Sequence, residues 1–306
     1  MRYTLIASSV SIGMVLAVLA SCARPAVRSG AADGEPTAGG GSAAGGKPAA
    51  VRLVVNVDDL GASPDAAEGA VRLWEAGAIS SVSVMAFGED FAHTVALLKE
   101  RGVPTGVHLA LNHGAGVLGA AEVPSLHGPD GRLWETVEDT LAHMDLSEVR
   151  REFGAQIRAL VDAGIRPAHL DSHMGIVFGR PALMEIYRSL ALEYGTGMAL
   201  PASSYFDSSR KALAAASLRA SDSLVGIYEL PGRAAETPEN RAAAYAALLA
   251  SLPPGLNHLY SHPAPPTDAV KAAYGDHAIR NDDYALFSSP EWKAMLAERR
   301  IELANY

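Results

Sequence analysis

The stretch that decides the fold is Val51 to Gly61, VRLVVNVDDLG. A β-branched, largely apolar run of this kind reads as a buried strand. The Gly61-Ala62-Ser63-Pro64 that follows reads as a strand stop and a helix start, with Ser63 at the N-cap and Pro64 at the first helical position. Two adjacent carboxylates, Asp58 and Asp59, fall where this strand becomes loop. In barrels of parallel strands the reacting groups come from C-terminal strand ends, so the position suits a site. The same pair also suits an ordinary turn, where Asp is common for local reasons.

Beyond Gly61, strand-like and helical runs alternate. Strands are predicted over Ile79 to Met85, Gly106 to Asn112, Ala168 to His173, Met198 to Leu200, Leu224 to Leu230, Leu256 to His262 and Ile301 to Asn305. Helices are predicted from Pro64 to a stop at Gly77, around Phe91 to Lys99, from a Ser147 cap to Ala163, over Pro181 to Tyr194, Ala212 to Ala220 and Pro238 to Leu252, and after Pro290. That alternation argues for an α/β fold with a largely parallel sheet of about seven or eight strands, a barrel closed or nearly so. The long segment from Asn112 to about Leu146 reads as an insertion covering substrate, with His113, His127 and His143 as surface residues.

Composition sets the outer bounds. The 306 residues carry 25 Lys and Arg against 34 Asp and Glu, with no Lys/Arg-rich run, which excludes the phosphate-neutralising surface that nucleic-acid binding needs. Arg2 followed by an apolar run from Leu5 to Leu19 reads as a signal peptide over residues 1–21, too short for a comfortable membrane span. Leu19-Ala20-Ser21-Cys22 looks like a bacterial lipobox, which implies lipidation of Cys22; as the single cysteine, Cys22 has no intramolecular disulfide partner. Residues 22–50, rich in Gly, Ala, Ser and Pro, read as a flexible tether, leaving residues 51–306 as the folded domain. The expected location is the cell envelope, lipid-anchored and exported, on the periplasmic or outer face, with the membrane met through the anchor alone. The oligomeric state is left open, a homodimer included.

Strand alternation groups the polar side chains. His108 shares a face with Ala110 and Asn112, opposite Val107, Leu109 and Leu111; a lone histidine there also reads as a hydrogen-bonded core residue. His169, Asp171 and His173 share one face of the AHLDSH run, and His258, Tyr260 and His262 one face of LNHLYSH. Asp58 and Asp59, His108, Asp171 with His173, and His262 thus come from separate strand ends and together read as a metal site. Two histidines and a carboxylate leave coordination positions for water and substrate.

The segments VNVDDLGASP, GVHLALN, PAHLDSHM and YSHPA, in that order, resemble the YdjC-like carbohydrate deacetylases, which remove acetyl groups from chito-oligosaccharides and related N-acetylated sugars. The resemblance covers most of the chain from Val51 on. It implies a distorted (β/α) barrel, one divalent metal ion, zinc or magnesium, held by Asp59, His108 and His173, and an N-acetylated oligosaccharide as substrate. Amide hydrolysis needs an activated water, charge at the developing oxyanion and a proton for the leaving amine. In that scheme Asp58 takes the water's proton, His262 protonates the nitrogen, Asp171 orients His173 or His262, and Asn112 backs the ligands or meets substrate. The chain departs from many members after Met174, where Gly175-Ile176-Val177-Phe178 replaces further histidines, so sugar contacts there differ; with the export signal this points to an envelope glycan as well as chito-oligosaccharide.

Two other readings compete. A metal-independent glycoside hydrolase needs two carboxylates about 5 to 9 Å apart, which adjacent Asp58 and Asp59 cannot supply without a partner such as Asp171 or Glu229. A tethered carbohydrate-binding lipoprotein would keep the pocket without turnover. The sequence contains no GxxxxGK[ST], HExxH or GxSxG motif.

Overall fold

Parallel pairing on both sides makes the first strand the spine of the sheet. In the computed structural model, which describes residues 50–227 and 237–306, the elements are β1 (Val51–Leu60), α1 (Pro64–Glu75), β2 (Ser81–Val84), α2 (Phe91–Arg101), β3 (Thr105–Leu109), α3 (Val137–His143), α4 (Leu146–Asp162), β4 (His169–Ser172), α5 (Pro181–Tyr194), β5 (Gly197–Met198), α6 (Asp207–Ala215), β6 (Ser223–Val225), α7 (Pro238–Ser251), β7 (Gly255–Ser261), α8 (Asp268–Ala273), α9 (His277–Phe287), α10 (Pro290–Glu298) and β8 (Glu302–Leu303). The strand order is β5-β4-β3-β2-β1-β7-β6, all pairs parallel, and β8 joins β1 at Arg52 and Leu53. The outer strands come together through one parallel bridge, Met198 with Ala220 just before β6, which gives the curved sheet its barrel-like form. The expected α/β architecture and strand number are what the chain adopts.

Side-chain alternation divides the sheet into two chemistries. Leu53, Val55, Val57, Val82, Val84, Val107, Leu109, Leu170 and Leu259 belong to one hydrophobic core with the helix residues Leu73, Leu98, Phe153, Ile157 and Tyr187. The alternate residues are polar or small and meet one another across the barrel: Asn56 Nδ2 of β1 donates to Asp171 Oδ2 of β4 at 3.1 Å, and the His169 and His258 rings of β4 and β7 stand 5.2 Å apart. Barrels of this kind commonly fill their interior with branched apolar side chains. Here the hydrocarbon lies between sheet and helices, and the interior is a polar layer, hydrogen-bonded in part.

Several expected boundaries shift. α4 is capped by Asp145, whose carboxylate accepts from the Ser147 and Glu148 amides, not by Ser147. Ser63 occupies its N-cap position but makes no side-chain cap. The helix expected over Ala212 to Ala220 lies at Asp207–Ala215, after a 3-10 turn capped by Ser203. β3 stops at Leu109, so Asn112 follows the strand, and β4 stops at Ser172, so His173 opens a 3-10 turn whose Met174 and Gly175 are left-handed. α8 and α9 lie where no element is predicted. Within the insertion His127 is buried, its ring nitrogens 3.0 Å from Val123 O and 3.2 Å from Ala115 O, which corrects its reading as a surface residue. The expected signal segment, Cys22, the tether to residue 49, Glu229 and the end of the strand expected to Leu230 lie outside the described residues.

Candidate metal centre

A local irregularity at the end of β1 builds the site. The β1–β2 register shifts between Val57 and Leu60, and Asp59 has φ 59°. In an unbroken strand Asp58 and Asp59 would point to opposite faces; a bulge re-aims one of them. Both therefore face the same imidazole, with His262 Nε2 lying 3.1 Å from Asp58 Oδ1 and 3.6 Å from Asp59 Oδ2. A left-handed conformation is unfavourable for a residue with a Cβ. It is held here by the Tyr274 hydroxyl, which donates to Asp59 O at 2.9 Å, and by Gly61, where an added Cβ would sit 2.9 Å from Met85 O at φ 114°.

Asp59 Oδ1, His108 Nε2 and His173 Nδ1 form a nearly equilateral triangle with edges of 3.2, 3.1 and 3.3 Å. Ligand atoms about 2.0–2.1 Å from one ion stand about 2.8–3.4 Å apart in octahedral or tetrahedral arrangements, so the edges fit a divalent cation. The donor set fits as well. His108 Nδ1 lies 3.1 Å from Asp171 Oδ1, a pairing that would keep the ring proton on Nδ1 and leave Nε2 free for an ion in the triangle. Asp171 is therefore the partner of His108, not of His173 or His262 as expected. Its other oxygen accepts from Ser83 Oγ at 2.7 Å and Asn56 Nδ2 at 3.1 Å.

The field at the site is that of surplus negative charge. Burial works against charge on Asp59, but hydrogen bonds from His108 and His173 and the Arg280 guanidinium outweigh it and hold the carboxyl well below its usual range. Burial drives Asp58 well above that range, with neighbouring Asp59 and Asp171 adding to the shift. Burial lowers His108, yet Asp171, Asp59 and Asp58 together raise it well above the ordinary imidazole value. Three buried carboxylates thus draw protons onto His108 and Asp58, which is the demand that a cation in the triangle meets. Burial, reinforced by Arg280, pushes His262 down to about 4, and burial lowers His173.

Arg280 and Tyr274 have no counterpart in the sequence reading. Arg280 Nη2 donates to Asp59 Oδ2 at 2.9 Å, its Nε to Asp276 Oδ1 at 2.7 Å, and its guanidinium lies 4.1 Å over the Tyr274 ring. Both residues come from the α8–α9 segment, and a single arginine within HAIRNDDYALF carries no sequence signal of burial. Asn112 is buried near the ligands and donates to Met174 Sδ at 3.1 Å. His113, read as a surface residue, stands edge-on to His173 at 5.8 Å, in a left-handed conformation, with Nδ1 3.0 Å from Glu135 Oε1. A surface groove of about 350 Å³ lined by Arg150, Arg151 and Glu193 shares no residue with this site.

Comparison with known proteins gives the family and the fold. A carbohydrate deacetylase of Listeria monocytogenes serotype 4b is 34% identical over 152 residues, 48% of this chain and 60% of the relative. One of Brevibacillus brevis is 36% identical over 154 residues, 49% of this chain and 60% of the relative. The chain thus matches less than two thirds of these relatives' own length. A crystal structure of an Enterococcus faecalis V583 protein, described as a candidate for cellobiose-phosphate cleavage, superposes with a TM-score of 0.71 at 24% identity, covering 84% of this chain and 98% of that one, and shares the fold. The profile of the YdjC-like protein family matches residues 52–298, from the strand that carries Asp58 and Asp59 to the end of α10; the chain belongs to that family.

Proposed function

We propose that this chain is a metal-dependent carbohydrate deacetylase, releasing acetate from N-acetylated sugars. The observation that carries the reading is the triangle of Asp59, His108 and His173 set directly beside the Asp58–His262 pair. The name printed for the Listeria and Brevibacillus relatives supports the same class. A divalent ion held by the three ligands would supply Lewis acidity for the acetyl carbonyl and lower the pKa of water.

The chain's own residues handle the proton. Asp58, buried with its carboxyl shifted upward, is the more basic of the two neighbouring carboxylates and the one placed to take a proton from water. His262, pushed down to about 4, is neutral near neutral pH, so it needs a proton before it can act as an acid. The 3.1 Å contact between Asp58 Oδ1 and His262 Nε2 provides the path: the proton leaves water for Asp58, passes to His262 and ends on the departing nitrogen. Arg280 fixes Asp59 by its second oxygen, so that Oδ1 faces His108 and His173.

The commitment of Asp171 to His108 argues against the glycoside hydrolase reading, since it removes the one candidate partner carboxylate that lies among the described residues. Zinc or magnesium is the ion in this reading, the substrate is a chito-oligosaccharide or an envelope glycan, and the enzyme works from a lipid anchor on Cys22. The test is acetate release from a panel of N-acetylated oligosaccharides with and without chelator and metal add-back. Metal-dependent acetate supports deacetylation; sugar binding without acetate from metal-loaded protein would establish the binding role instead.

A further inference from the structure

Beneath the triangle, on the inward faces of β4 and β7, lies a group of buried side chains to which no role has been given. His169 and His258 are both fully buried, and neither His169 nitrogen, nor Nε2 of His258, has a hydrogen-bond partner. Donor or acceptor atoms of His169, Asp171 and His258 lie within 4.8 Å of one another. Tyr306 closes the group: its ring stacks on His169 with centroids 4.9 Å apart, and its hydroxyl lies 2.8 Å from His258 Nδ1.

His169 is confined on both sides. Tyr306 covers one face, and at Gly106 of β3 an added Cβ would come 2.5 Å from the ring, so only glycine leaves it room. So held, His169 Nε2 stands 3.9 Å from Asp171 Oδ2, the oxygen that also receives Ser83 and Asn56. A buried imidazole with two unpartnered nitrogens pays the desolvation of both, which an apolar ring would avoid. Its retention at this place is explained if its proximity to Asp171 matters.

We propose that His169, held by Tyr306 and His258, is a positioning residue that acts through Asp171 to fix the ring orientation and tautomer of His108. His169 adds a third polar neighbour to Asp171 Oδ2, so that Oδ1 remains turned toward His108 Nδ1 and the Nε2 lone pair remains in the triangle. Partners behind a metal-bound histidine commonly change metal affinity 10–100-fold. The proposal deepens the metal-centre reading and rests on it for that consequence alone, because the contact between His108 Nδ1 and Asp171 Oδ1 exists without an ion.

The experiment uses the full chain, with His169→Phe, which keeps ring and volume, and Tyr306→Phe, which keeps the stack and removes only the hydroxyl. Imidazole ¹⁵N and Nδ1–H signals of His108 are read in ion-free protein, and zinc and magnesium affinities are each read by titration. The expected result for His169→Phe is a shifted or exchange-broadened His108 Nδ1–H and about tenfold weaker metal binding; Tyr306→Phe moves both in the same direction by less. A His169→Phe protein with wild-type His108 signals and wild-type affinity overturns the proposal, whatever its melting temperature does. If neither protein binds an ion but the His108 signals still move, the positioning role stands and the metal reading fails. If His169→Phe does not fold, Tyr306→Phe decides by the same two signals.

Discussion

Arg280 grips Asp59 by one oxygen only, with Nη2 2.9 Å from Oδ2, leaving Oδ1 between His108 and His173. Breaking a buried ion pair by removing one partner costs about 3–5 kcal/mol, since the other charge is left uncompensated. Arg280→Met is expected to lose stability on that scale, measured by urea unfolding of ion-free protein, and to bind metal more weakly because Asp59 can rotate. Arg280→Lys, which keeps the charge but not the fork that reaches both Asp59 and Asp276, is expected to fall between.

Asp58 and Asp59 are neighbours with separable tasks. Asp58→Asn is expected to lower kcat by roughly 10²–10⁴ while metal content stays at the wild-type level. Asp59→Ala is expected to lose the metal itself, measured by elemental analysis after dialysis. Equal metal loss in both variants would show that Asp58 is a ligand and not a base.

The bulge that permits this division is also what the sequence does not reveal. The strand, the helix start and the three histidine-bearing stretches are legible in VRLVVNVDDLG, GVHLALN, PAHLDSH and LNHLYSH because alternation is a local property. Whether two consecutive carboxylates share a face depends on one residue at φ 59°, stabilised by Tyr274 from more than two hundred residues away, and no local pattern encodes that contact. The partner of Asp171 is hidden from the sequence for the same reason: β3 and β4 run side by side with His108 level with Asp171, a register set by the sheet. The α8–α9 segment carries little local signal because its apolar residues are few and its burial depends on charge pairing.

Acid stability has a defined contributor in His258. Burial holds it neutral in the fold, with its pKa pushed down to about 3, whereas an unfolded histidine titrates near 6.5. Between these values the unfolded chain binds a proton that the fold does not. Its contribution is therefore complete above about pH 6.5 and is lost as pH falls toward 3, at up to about 1.4 kcal/mol per pH unit. Urea midpoints of ion-free protein compared at about pH 7.5 and about pH 5 should show a smaller drop for His258→Gln than for wild type.

Away from the site, Arg241 and Asp283 form a forked pair between α7 and α9, with Nε to Oδ1 at 2.9 Å and Nη2 to Oδ2 at 2.5 Å, both residues almost fully buried. Asp283→Leu alone is expected to cost about 3–5 kcal/mol, and the double variant Arg241→Met, Asp283→Leu to recover most of it. A double-mutant cycle by thermal unfolding measures the coupling, and metal affinity should not change in any of the three proteins.

The polar layer lining the barrel gives the strands an arithmetic of their own. On β1 the even positions Asn56 and Asp58 carry chemistry and the odd positions Leu53, Val55 and Val57 carry cohesion; on β4 the parity is reversed, with His169 and Asp171 inward and Leu170 outward. Function and foldedness are thereby written on alternate letters of the same words. The inner letters can be exchanged for another donor set without unpicking the hydrocarbon that binds sheet to helix, and Asp59, where the alternation slips by one, is where the two scripts meet.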